Sequence, residues 1–196
     1  MRIGAVLGTT VACAVLALSV TACGQSTPSG ASGSVSTQQT TTSSATPKPS
    51  GPPCTVDQIT VTPNFGSTPT VTLPKDCATP TTLLSKDIVT GTGAAIEKGD
   101  SISADYQLTT WSNDKMVQQS FGTQPFTTPI GVGQVIPGWD QGLIGQRAGG
   151  RRLLVVPPAL GYGNTSQDGI KANETLVFVI DVHSVTPPPA NPTTQP

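Results

Sequence analysis

One imidazole has to serve the whole chain. His183 is the sole histidine among 196 residues, so a zinc site built on several histidines is excluded. It has no obvious nucleophile partner in sequence, so a catalytic triad has no visible support. It lies in a run of alternating apolar residues near the end of the chain, which reads as a surface or edge-strand histidine. The four cysteines are Cys13, Cys23, Cys54 and Cys77, and their spacing matches no metal-ligand motif. No metal and no cofactor are expected. The net charge is −1, with 11% of residues charged. Arg2 is the only charge in residues 1–22, so its removal leaves nine basic against eleven acidic residues. That balance gives no electrostatic case for a nucleic-acid partner.

The cysteines divide the chain. Met1-Arg2 precedes an apolar run from Ile3 to Val20 that ends in small residues, the order of a signal peptide over residues 1–22. Val20-Thr21-Ala22-Cys23 looks like a bacterial lipobox, which makes Cys23 the site of palmitate-type acylation and the first residue of the mature chain. The competing reading is an uncleaved membrane anchor with an ordinary cysteine. Residues 23–53 are almost wholly Ser, Thr, Gly, Gln and Pro, with Lys48 as the one charge. Such a tract cannot bury enough apolar surface to offset its ordering entropy, and it is expected to be a disordered linker spanning roughly 30 Å. It could also carry O-linked sugar. An export signal puts Cys54 and Cys77 in a disulfide-permissive compartment. Their bridge would close a loop of roughly 24 residues, worth about 3.5 kcal/mol on the loop-entropy account; two free thiols are the alternative. Between them, Gln58–Thr62 and Thr70–Leu73 alternate like strands, so residues 54–82 are expected to form a hairpin-like extension packed on the main domain.

The main domain, residues 83–186, is read from three strands and a helix. Ser101–Leu108 places Ile102, Ala104, Tyr106 and Leu108 on one face and polar residues on the other, a half-buried strand. Arg151–Val156 is rich in β-formers and stops at Pro157-Pro158. Thr175–Val182 is the strongest strand and is expected to be central. Pro137 suits a first helical turn, and Trp139 and Leu143, four apart, share a helix face. Gly142 and Gly145 then stop the helix early. The sum is an α+β fold, a twisted antiparallel β-sheet with one short α-helix on its concave face. Residues 187–196 are expected to be a disordered tail. Asn164-Thr165-Ser166 and Asn173-Glu174-Thr175 match a glycosylation pattern but read as turns.

Three stretches carry a resemblance. Gly133–Leu143, Val156–Gly163 and Thr175–Phe178 resemble, in order and spacing, the FKBP-type peptidyl-prolyl cis-trans isomerases, together with Asp105-Tyr106 and Pro125-Phe126. The resemblance covers Leu83 to Val185 and implies a half-barrel sheet wrapped around its helix. Carried over residue by residue, it implies an apolar proline pocket of Tyr106, Phe126, Val135, Ile136, Trp139, Tyr162, Ile170 and Phe178. Trp139 would lie under the proline ring, and the Ile136 N–H and the Tyr162 hydroxyl would hydrogen-bond substrate carbonyls. Two places depart from the family's pattern. Lys171-Ala172 stands where a Pro-Pro pair is common, so Ile170 is matched only through a one-residue deletion. The Phe-Asp pair after the first hairpin is also missing. Its Phe place falls on Met116, or on Val117 with a shift of one, and its Asp place on Val117 or Gln118.

The function implied is isomerisation of X–Pro bonds in exported proteins, assisting folding at the cell envelope. The chain would be held outside the cytoplasm by its lipid. Implied partners are proline-containing polypeptides, FKBP-directed macrolides and the anchoring membrane, with a monomeric chain expected. The alternative is a proline-peptide binding module or chaperone with weak or no turnover, prompted by the missing acid. A third reading is a structural envelope lipoprotein that only docks a partner.

Overall fold

A computed structural model describes residues 51–189. The signal peptide, Cys23, most of the linker and all but the start of the tail lie outside the described residues. Two short strands come first, β1 (Thr60–Val61) and β2 (Val71–Thr72), paired antiparallel. The main sheet follows: β3 (Leu84–Val89), β4 (Ser101–Thr110), β5 (Lys115–Gln119), β6 (Phe126–Pro129), β7 (Gly150–Val156) and β8 (Leu176–Thr186). Among the described residues the one α-helix, α1, is Pro137–Gly142. Strand order is β3-β7-β8-β4-β5, with β6 pairing the first half of β4; every pairing is antiparallel. The α+β expectation, a sheet wrapped on one short helix, matches this architecture.

Alternation along β8 decides the layering, because successive side chains point to opposite faces. Leu176, Phe178, Ile180 and Val182 turn to the helix, where they pack with Ile102, Ala104, Leu108, Leu154, Trp139 and Leu143. Val177 and Val179 turn to the other face, with Leu153 and Val155 of β7. Both faces of the sheet's centre are therefore covered. That explains why β7 and β8 read as nearly unbroken apolar runs.

Helix and sheet meet closely because two glycines face β7. A Cβ on Gly138 would come within 2.4 Å of Val156 and one on Gly142 within 2.8 Å of Leu154. Gly142 therefore does more than shorten the helix: with Gly138 it lets α1 lie directly on the strand.

The back of the sheet is covered by residues 54–82. Cys54 and Cys77 are bonded, with their Cα atoms 5.0 Å apart. Ile59, Val61 and Leu73 pack onto Leu153, Val155, Val177 and Val179. The paired strands of this segment, β1 and β2, are shorter than the sequence pattern indicates. The segment also seals an ion pair. Arg151 and Asp181, both fully buried, are joined by two hydrogen bonds of 2.6 and 2.8 Å. The extension completes their valence: Arg151 donates to the Thr62 and Ser67 carbonyls, and the Gly66 N–H donates to Asp181.

One expectation for β4 fails. Its polar face was assigned to water, yet Asp105, Gln107 and Thr109 are buried. Asp105 accepts from the Ser120 hydroxyl at 2.8 Å and meets His183 Nε2 at 2.8 Å. His183 itself is exposed, as the sequence indicates, but its strand is central rather than an edge. It occupies a bulge, where Ser103 pairs Ser184 and Ala104 pairs Val182, and Phe65 of the extension packs edge-on against it.

Candidate functional site: an aromatic cavity over the helix

The site begins at the start of α1. Pro137 occupies the first helical position, which directs Trp139 into the core and leaves Val135 and Ile136 on the approach. The preceding loop is held by Asp140, whose two carboxylate oxygens accept from the Gly131 and Gly133 N–H groups at 2.7 Å each. Across from the helix, Tyr106 comes from β4 and Phe178 from β8, paired strands that put both rings on one face. The Tyr106 backbone is pinned by Ser120, which receives the Tyr106 N–H on its hydroxyl and donates its own N–H to the Tyr106 carbonyl.

The rings meet edge to face. Trp139 lies 5.4 Å from Phe178, 5.5 Å from Tyr106 and 6.0 Å from Phe126, at interplanar angles of 80–83°. Rings set perpendicular cannot stack away the space between them, and a cavity of about 300 Å³ remains. It is lined by Tyr106, Gln118, Phe126, Gln134, Val135, Ile136, Trp139, Tyr162 and Phe178. Trp139 is only 4% exposed, so the floor is buried, and its indole N–H has no oxygen or nitrogen partner.

Seven of the eight residues carried over by resemblance line this one cavity. Ile170 does not line it. It is buried in the core, and on its outer side it lines a separate shallow hollow with its loop neighbours. A tight turn at Asp168-Gly169 places it there, with both residues at positive φ and Gln167 and Ile170 paired by two backbone hydrogen bonds. The three alternatives on β5 separate in the structure. Leu108 pairs Gln118 and Thr109 pairs Met116, so Val117 is a bulge residue. Met116 is exposed, Val117 packs on the core, and Gln118 lines the cavity. Of the three, the one in the cavity wall is a neutral carboxamide.

Gln134 and Asp140 were missed by sequence reasoning. Nothing in local pattern marks a glutamine as a wall, and Asp140 works through a loop seven to nine residues upstream. No side chain of the lining carries a charge near neutral pH. Both tyrosine hydroxyls are held above their ordinary value of 10.0, mainly by burial. The Tyr162 charge adds to the effect on Tyr106. Asp168 adds to the effect on Tyr162, while a Gln167 hydrogen bond opposes it. Both hydroxyls stay protonated and able to donate. Among the described residues, no backbone carbonyl accepts from the Ile136 N–H, which leaves that donor for a bound carbonyl. The cavity can thus receive a small apolar ring and hydrogen-bond what flanks it. Among the described residues no group of His, Cys, Asp and Glu is placed to hold a metal ion.

Comparison with known proteins agrees with this geometry. The family model for FKBP-type peptidyl-prolyl cis-trans isomerases matches residues 93–183. FK506-binding protein 4 of Chaetomium thermophilum is 44% identical over 90 residues, covering 46% of this chain and 18% of that protein. FK506-binding protein 2B of Rhizopus delemar is 41% identical over 91 residues, covering 45% of this chain and 44% of that protein. The chain therefore spans less than half the length of either fungal relative. An FK506-binding protein of Streptomyces anulatus is 40% identical over 99 residues, covering 48% of this chain and 79% of that protein. With four-fifths of a relative spanned at that identity, and the family's aromatic cavity formed, this chain belongs to the FKBP-type peptidyl-prolyl cis-trans isomerase family.

Proposed function

We propose that the chain isomerises X–Pro peptide bonds of exported polypeptides, held at the cell envelope by a lipid on Cys23. The observation that carries the first half is the aromatic cavity floored by the buried Trp139. A proline ring is the side chain that fits it while leaving the preceding amide at the mouth.

The chemistry needs no acid, base or nucleophile. Amide resonance sets a barrier of about 18–20 kcal/mol to rotation. Moving the amide from water to an apolar surface weakens the charge-separated resonance form that resists twisting. Donors at the Ile136 N–H and the Tyr162 hydroxyl then hold the flanking carbonyls. If the twisted amide is held better than either planar form, the rate rises. A thousandfold gain requires about 4 kcal/mol of such differential binding. A protease-coupled assay on proline peptides tests the reading, and an uncatalysed rate would end it.

A second reading is favoured by Gln118. The family's usual carboxylate at this wall is replaced by an amide, which keeps binding and can weaken turnover. Tight binding of an FKBP-directed macrolide without isomerase activity would select that reading. The anchoring half rests on Val20-Thr21-Ala22-Cys23 and on the export-compatible disulfide. Labelled palmitate should enter the chain in a bacterial host, and Cys23→Ala should abolish the label. Among the described residues no helix is long and apolar enough to cross a membrane.

A further inference from the structure

We propose that Gln118 and Gln134 are specificity-determining residues that select an uncharged polar side chain next to the proline. The inference rests on the isomerase reading and names the substrate class for the same cavity. The two glutamines come from separate elements, β5 and the loop before α1, and they are the only amides of the lining. Both are exposed, whereas the floor beneath them is buried. With the ring of proline in the cavity, the residue beside it must lie at this exposed level. Among the described residues neither side-chain amide is engaged by another side chain, so both are available to a ligand.

A carboxamide offers two donors and an acceptor at once. It can satisfy Asn, Gln, Ser or Thr in either sense. It cannot neutralise an ammonium or a carboxylate. A charged neighbour of proline would meet only dipoles at this level, with no opposite charge to favour it. The nearest acids do not alter this. Asp140 has both oxygens committed to Gly131 and Gly133. Asp168 affects the Tyr162 hydroxyl but sits in the outer loop, outside the lining. The two tyrosines are neutral below pH 10.0.

The test uses the full chain and peptides that differ only before proline, with Gln, Ser, Leu, Glu or Lys at that place. Glu and Lys peptides should show kcat/KM about fivefold or more below Gln and Ser. In the Gln118→Leu, Gln134→Leu double variant, the Gln-over-Leu ratio should shrink to within about twofold. Gln118→Glu should raise the Lys-to-Glu ratio by about fivefold or more, a change that a merely structural role would not produce. Equal losses on all five peptides, or ratios unmoved by both variants, would overturn the proposal. Absence of turnover on every peptide would fall on the isomerase reading instead. Dissociation constants for the same peptides, read from indole fluorescence, would then decide selectivity by the same ratios.

Discussion

The two faces of one sheet are finished in opposite ways. β8 sends Phe178 to one side and Val177, Val179 and Asp181 to the other. On the helix side the contacts are large rings at steep angles, and a cavity stays open. On the extension side the contacts are aliphatic, and the fully buried charged pair has every polar atom met. The lesson is that the open face leaves much of the fold's stability to the closed one. Rings held apart around a void gain less from packing than a filled core does, so rigidity has to come from behind them.

The largest blow to this contrast should come from halving the buried pair. Arg151→Met leaves Asp181 charged, buried and short of donors, at a cost of about 3–5 kcal/mol. Urea unfolding should show it, and adding Asp181→Leu should restore most of the loss. Removing the disulfide by Cys54→Ser with Cys77→Ser comes next, at about 3.5 kcal/mol, and a thermal scan with reductant should give the same shift. Both changes act on the closed face, so kcat/KM of the folded fraction should hardly change.

On the open face the pattern should invert. Trp139→Leu should lower kcat/KM by about tenfold or more, equivalent to about 1.4 kcal/mol of transition-state binding, while the fold persists to circular dichroism. Asp140→Ala frees two backbone donors and should cost about 1–3 kcal/mol, with KM rising because Val135 and Ile136 lose their setting.

The smallest effect concerns pH. With no charged lining, kcat/KM should stay flat over roughly pH 6 to 9. Both tyrosines are raised in the fold, so below pH 10.0 each is protonated in folded and unfolded chains alike. Above it the unfolded chain releases the proton first, and stability should fall as pH rises through the folded values. A sloping activity profile near neutrality would instead implicate a charged group outside the lining.

Much of the open face was legible because periodicity reports it. The shared face of Ile102, Ala104, Tyr106 and Leu108, and the Trp139–Leu143 pair, follow from spacing alone. The closed face was less so. Asp105, Gln107 and Arg151 are polar letters, and local pattern assigns polar letters to water; only their partners from distant segments, Ser120 and His183 for Asp105 and the extension for Arg151, show otherwise. The choice among Met116, Val117 and Gln118 turned on a bulge, a single unpaired residue that alternation cannot reveal. The position of Ile170 outside the lining was hidden for a related reason. Its turn at Asp168-Gly169 aims it by two positive φ angles rather than by its neighbours' identities.

The disulfide also sets how load would travel. The described chain reaches Cys54 through Pro53, which bridges Ala78, and β1 and β2 hold only two residues each. A pull on the chain ahead of Cys54 would open so short a ladder first. With Cys54 joined to Cys77, the force passes across the covalent link to residue 77 and reaches the sheet through β3, its outermost strand. β4 and α1, which carry Tyr106 and Trp139, lie off that path. Tension on the amino-terminal side of the domain would therefore meet the disulfide and β3 before any residue of the cavity.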